Sequence, residues 1–247
     1  MEEAAELINY LPLSFKTPKE QEYISFLWET FQSNYENKKY QFAFLAYHML
    51  AMSFVYFNIW QIKQARPEDF EKGLIGFTKD IEKNLLEATS PFVFSAVKER
   101  IILRLLKLIE CDNGKIGTYM KLVDDRNDTA HPNGNIFFST QAALDTKITE
   151  ILRVVDEIQT HSRPIIERCY YDFLLQNDDP DEREYPDDAD QIREVLIHKN
   201  YLSQKDIEIC LAFDLAALAD RPDIDSIVAL HETLKSEYGL EEQQGKA

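Results

Sequence analysis

From Tyr40 to Trp60 the chain is apolar on nearly every side, and only Gln41, His48, Ser53 and Asn58 break the run. A helix that is hydrophobic all round must be enclosed by other elements or by lipid, because no face suits water. His48, Ser53 and Asn58 would each be costly in hydrocarbon, and the segment has no companion of similar character. The run is therefore expected to be the central helix of a bundle, with His48 a hydrogen-bonded core histidine. Surplus aromatic and aliphatic surface on this helix is also expected to serve a dimer interface.

The remainder predicts helix as well. Seven glycines in 247 residues, with abundant Leu, Glu, Lys and Ala, favour helix over sheet, so the expected class is all-α. Thr17-Pro18 sets a capping residue before a first-turn proline, and Tyr23, Ile24, Leu27, Trp28 and Phe31 follow at helical spacing. A shorter helix is expected over 78–88. Ser90-Pro91 should open another, with Ile101, Ile102, Leu105, Leu106, Leu108 and Ile109 on its apolar face and Asp112-Asn113-Gly114 as its stop. The next helix runs from Lys115 and turns Ile116, Tyr119, Met120 and Val123 inward. From Ser139 a long pattern continues past Pro164 to Phe173, with a kink or break expected at the proline.

Between Asn177 and Asp190 acids crowd together, relieved only by Arg183, and Pro180 and Pro186 interrupt them. The stretch 178–190 reads as a linker or exposed loop. Three short helical patterns follow, over 190–198, 203–219 and 222–238, with Ser203 and Asp206 spaced as a capping box. The domain reading is an up-down bundle over 1–177, the acidic stretch, and a small α-helical appendage over 191–247 that ends in a frayed tail.

Cys111, Cys169 and Cys210 are too far apart for a zinc knuckle and odd in number for a disulfide framework. With an acidic start, Met1-Glu2-Glu3, in place of a basic signal peptide, they point to the cytoplasm. No phosphate-binding glycine loop, dinucleotide fingerprint or His-Glu-x-x-His occurs. Glu157 with His161 and Glu194 with His198 are four apart, which suits surface ion pairs; di-iron bundles use three-residue spacing. No cofactor, metal or membrane is called for.

The chemistry-bearing segment is Leu122-Val123-Asp124-Asp125-Arg126-Asn127-Asp128-Thr129-Ala130-His131-Pro132-Asn133-Gly134. Pro132 disfavours the α conformation at His131, and Asn-Gly then turns the chain, so His131 is expected at a helix end. An arginine, a polar residue, three more residues and a histidine, at the end of one long helix and before another, resemble the signature of the HEPN superfamily of all-α proteins. Many members of that superfamily are RNases of toxin and antiviral systems.

The resemblance covers the motif helix and its neighbours, and in architecture about 18–175. It implies a metal-independent endoribonuclease that acts on RNA through 2′-hydroxyl attack, with Arg126 and His131 catalytic. Histidine can move a proton near neutral pH, and the arginine fork can stabilise a phosphorane-like transition state. Asn127, Asp128 and Asn133 are the supporting residues: the first two orient the pair or cap backbone groups, and Asn133 helps make the turn.

Five residues of ideal helix rotate two side chains apart by about 140°. Uncoiling at Pro132, or a homodimer whose two-fold axis joins two motifs, would reunite the pair, and such dimers are common in the family. Family toxins paired with a nucleotidyltransferase antitoxin carry a modified tyrosine two residues after the histidine. Here that position is Asn133, so that form of control is not implied, although a protein antitoxin or regulator is a possible partner.

The formal net charge of −17 argues against nucleic-acid binding in general. It favours the alternative reading, a non-catalytic HEPN-like interaction or regulatory module. A local cationic strip of Lys98, Arg100, Arg104, Lys107, Lys115, Lys121 and Arg126 precedes the motif, with Glu99, Glu110, Asp124 and Asp125 interspersed to neutralise it. The bland reading of Arg126 is an ion pair with Asp124, Asp125 or a neighbouring acid, and that of His131 is a helix C-cap.

Overall fold

A computed structural model describes residues 1–132 and 134–239. They are all-α: no β-strand forms among them, and one isolated bridge joins Pro12 to Ser203. The principal helices are α1 (Pro18–Glu36), α2 (Tyr40–Ala65), α3 (Pro67–Gly73), α4 (Lys79–Leu86), α5 (Asn113–Ala130), α6 (Gln141–Gln176), α7 (Gln204–Leu211) and α8 (Ile224–Tyr238).

Helix α2 is the axis of the molecule and packs chiefly on α1 and α6. It is long and apolar enough to cross a membrane, but 83% of its most apolar stretch is buried inside the protein. Phe44, Tyr47, Leu50, Ile59 and Ile62 are all fully enclosed. Burial of such side chains stabilises a fold by about 1.5–3 kcal/mol each, before the entropy of ordering is counted. Two polar groups of α2 are satisfied within the helix: Ser53 Oγ donates to the Met49 carbonyl at 2.9 Å and Asn58 Nδ2 to that of Phe54 at 3.2 Å.

Helix α1 starts as the sequence predicts. Thr17 accepts the Glu20 N–H at 3.3 Å, and the Glu20 carboxylate returns to the Thr17 N–H at 3.2 Å, which satisfies two otherwise orphaned donors. Between α4 and α5 the single helix expected from Ser90 is instead three pieces: a 3-10 turn at Pro91–Ala96, one α turn at Glu99–Ile102, and a 3-10 run at Leu103–Ile109. Glu110, left-handed at φ 64°, ends this run. The Asp112-Asn113-Gly114 group does not stop a helix. Asp112 caps the start of α5 by accepting the Lys115 N–H at 2.9 Å, the N-cap role acids commonly fill. Lys115 then pins α5 to α6 through Glu157 at 2.8 Å and His161 at 2.7 Å, so Glu157 and His161 meet through a lysine and do not form a pair of their own.

Helix α6, about 54 Å long at 1.5 Å per residue, runs through Pro164 without a break. The proline and Thr160, the residue whose carbonyl loses its helical donor, are both exposed, so water can serve that carbonyl. Near Pro164 the helix changes partners. Its buried residues up to Ile165, with Cys169, pack in the core around α2, while Ile166, Tyr170, Phe173 and Leu174 enter a second core with Leu196, Ile207, Ile227 and Leu230.

The C-terminal elements are joined to the bundle by more than α6. Tyr201 lies in the first core and donates its hydroxyl hydrogen to Glu20 at 2.9 Å, and the Leu13 N–H bonds the Leu202 carbonyl at 2.9 Å. The Ser203–Asp206 capping box is present. The expected single helix over 203–219 is broken into α7 and a 3-10 turn at Leu215–Leu218, and the one before it is π-helical at Ile192–His198.

The acidic stretch is a loop with an anchor, which its composition alone does not convey. The Arg183 side chain is 3% exposed; its guanidinium bonds the Asn177 carbonyl at 2.8 Å, Ser226 Oγ at 2.5 Å, and Asp188. Arg221 pairs with Asp178 at 2.8 Å. A buried guanidinium recruits the surrounding carboxylates, since leaving either sign unpaired would be costly. Native protein should therefore resist limited proteolysis within 178–190, whereas Arg183→Ala should be cut there at least about tenfold faster, because local opening scales with the lost free energy. Equal rates for the two proteins, followed by mass spectrometry, would contradict the anchoring role.

Candidate functional site

Helix α5 ends at Ala130. His131 is extended at φ −81°, ψ 143°, and its N–H closes the last turn on the Asn127 carbonyl at 3.0 Å. This is the local consequence of Pro132, which excludes a continuing helix. The Thr129 hydroxyl donates back to the Asp125 carbonyl at 2.6 Å. Gln41, near the start of α2, fixes the end of α5 from outside: Nε2 donates to the Thr129 carbonyl at 3.1 Å, and Oε1 accepts the Phe137 N–H at 3.0 Å. The chain after the motif is thereby returned to the core, where Phe138 lies against Phe44 with ring centroids 4.4 Å apart. Polarity at position 41 in an apolar run was the sequence signal for this anchor.

Arg126 points sideways into a charged relay. Its Nη2 lies 2.6 Å from Glu99 Oε1, and Glu99 Oε2 lies 3.2 Å from Nε2 of His48. His48 is 2% exposed, Glu99 17% and Arg126 31%, so the relay leads from the middle of α2 to the surface. His48 is the hydrogen-bonded core histidine that the sequence predicts; its partner, Glu99, comes from a one-turn helix that sequence periodicity does not mark. Burial alone would raise the Glu99 carboxyl, but hydrogen bonds and charge from His48 and Arg126 outweigh it and hold it below the ordinary 4.5. Stability from this group is therefore present above 4.5 and lost as pH falls through its native value. Glu99→Gln should lower the melting temperature at pH 7 and flatten the acid side of the stability profile; an unchanged acid limb would show that Glu99 is not held as described.

His131 stands apart from the relay. It is exposed, and among the described residues its ring makes no hydrogen bond or ion pair with Arg126, Glu99 or His48. The structure thus sets Arg126 and His131 near the same end of α5 but does not join their side chains. Asn127 contributes its carbonyl to the final turn, Asp128 is exposed at that turn, and Asn133 lies outside the described residues. Part of the cationic strip is neutralised: Arg100 pairs with Asp124, Lys115 with Glu157 at 2.8 Å, and Arg126 with Glu99, while Asp125 pairs with Lys147 of α6 at 2.9 Å. Ile136 and Phe137, which follow the motif along the chain, are 73% and 42% exposed, and Phe42, next to Gln41, is 60% exposed.

No group of three or more His, Cys, Asp or Glu side chains that could hold a metal ion occurs among the described residues. All three cysteines are buried and unbridged. Comparison with protein-family models, with curated proteins and with solved structures found no match.

Proposed function

We propose that the protein is a metal-independent endoribonuclease of HEPN type, a toxin or host-defence effector that works as a homodimer in the cytoplasm. The observation that carries this reading is the arginine-to-histidine segment at the uncoiled end of α5, where a partly exposed guanidinium held by Glu99 and an exposed imidazole are set in one helical terminus. Glu99 takes one face of the Arg126 fork and fixes its direction, which leaves other N–H groups for a phosphate. In the proposed reaction a base removes the 2′-hydroxyl proton, the oxygen attacks the adjacent phosphorus, and an acid protonates the departing 5′-oxygen. His131 serves one proton transfer and the His131 of a second copy the other, while Arg126 steadies the negative charge that grows on the phosphoryl oxygens. Exposed Phe42, Ile136 and Phe137 supply apolar surface beside the motif that suits a two-fold contact.

Purified protein incubated with mixed RNA in EDTA should cleave it and leave 2′,3′-cyclic phosphate ends, and light scattering should give twice the chain mass at micromolar concentration. Intact RNA would defeat the assignment. A monomer that cleaves RNA would defeat the composite site alone.

A second reading, a non-catalytic interaction module, is favoured by the pairing of Arg100, Arg126 and Lys147 with acids, since paired cations gain less from phosphate. Salt separates the two: RNA binding that is absent even at low ionic strength supports the module.

A further inference from the structure

Beside Glu99, a side-opening cavity of about 540 Å³ lies between α1, α2 and the turns at 90–99. Its size is that of a small-molecule site. Tyr23, Tyr56 and Phe92 give it aromatic walls, Met52 a soft, polarizable floor, and Met49 part of its rim. Tyr23 and Met49 are 37% and 41% exposed, so the mouth is open to solvent.

The three serine hydroxyls of the lining have already committed their protons. Ser53 Oγ donates to the Met49 carbonyl at 2.9 Å, Ser90 Oγ to Glu20 at 2.5 Å, and Ser95 Oγ to the Phe92 carbonyl at 2.7 Å. What these groups offer an occupant is lone pairs. Glu20 is 6% exposed, lines the cavity, and is held only by neutral donors, from Thr17, Ser90 and Tyr201. Among the described residues it forms no ion pair. Lys16 feels its field, but the Lys16 ammonium sits over the rings of Trp60 and Tyr201, at 4.5 and 5.1 Å from their centroids. Lys19 is the one cationic residue of the lining, and it is exposed.

A cavity of π faces, thioethers, carbonyl and hydroxyl lone pairs, and a buried carboxylate without a cation is the complement of a positively charged organic group. The geometry points to a binding site for a small organic ammonium ion with an aromatic or branched apolar body, its nitrogen directed at Glu20 and its body between Tyr23, Tyr56 and Phe92. An anion or a nucleotide phosphate would meet serines whose protons are spent and two carboxylates, Glu20 and Glu99. The net charge of −17 favours the approach of a cation for the same reason. This assignment is independent of RNA cleavage.

Isothermal titration calorimetry of the full chain tests it with 2-phenylethylamine as the probe, 2-phenylethanol as its uncharged counterpart and AMP as the anionic aromatic. The amine should bind one to one and at least about tenfold more tightly than the alcohol, the cation supplying the difference, and AMP should not displace it. Met49→Arg, on the exposed rim and therefore expected to fold, puts a like charge at the mouth and should weaken the amine at least about tenfold. Glu20→Gln should weaken it similarly, with folding checked by circular dichroism because Glu20 also caps α1. Absence of amine binding, equal binding of the alcohol, displacement by AMP, or undiminished binding in Met49→Arg would each overturn the assignment.

Discussion

Alanine at His131 should cost RNA cleavage about 10²–10⁴-fold, the usual contribution of a positioned general acid or base, while the melting temperature barely moves. His131 is exposed and outside the Glu99 relay, so its removal leaves no buried group without a partner. Arg126→Ala should lose about 10²–10³-fold through the missing charge at the phosphoryl oxygens. It should also be measurably less stable, since it leaves one oxygen of a largely buried Glu99 without its partner. Arg126→Lys separates charge from geometry: a lysine keeps the positive charge but not the planar fork that Glu99 orients, so activity should be recovered only in part. The two positions should thus differ in signature, activity alone at 131 and activity with stability at 126. Full cleavage by folded His131→Ala would remove the catalytic assignment.

The helix end that carries His131 was legible in the sequence; the ion pair that ties Arg126 into the fold was not. Pro132 after His131 fixes where the helix must end, because a proline restricts its predecessor whatever the tertiary setting, and the structure ends α5 at Ala130. The all-round apolar character of 40–60 likewise admits few outcomes, and α2 is the buried axis it implies. The acid that holds Arg126 was harder to identify: Asp124 and Asp125 are nearer in sequence, but they lie on α5 with their own partners, Arg100 and Lys147. Glu99 reaches Arg126 only because two 3-10 segments and a single α turn redirect residues 91–109, and short runs of that kind carry little periodic signal. Pro164 does not end α6 as it would a buried helix: a lost helical hydrogen bond matters most where the freed carbonyl is buried, and Thr160 and Pro164 both lie on the solvent side.

Asp206→Ala should be the most destabilising polar substitution in the chain, by about 4 kcal/mol, or about 10 °C in melting temperature for a protein of this size. The carboxylate is 2% exposed and is the common acceptor of three elements: Oδ2 takes the Ser203 N–H and hydroxyl at 2.8 Å each and Gln61 of α2 at 3.1 Å, and Oδ1 takes Gln159 of α6 at 2.7 Å. Alanine would strand those donors in the interior between the two cores, each at a cost of about 1–3 kcal/mol before relaxation. Burial raises the Asp206 carboxyl above the ordinary 3.8 in spite of these four hydrogen bonds. Folding therefore favours the protonated acid relative to the unfolded chain. Its contribution is complete below 3.8 and declines as pH rises through the native value, the reverse of Glu99. Asp206→Asn removes the titration while keeping an acceptor and similar volume. Melting temperatures of the wild type and Asp206→Asn, measured from pH 4 to 8, should diverge with the wild type losing ground as pH increases. A wild type that gains on the asparagine variant over that range would mean that the hydrogen bonds outweigh burial and that Asp206 is charged in the native core.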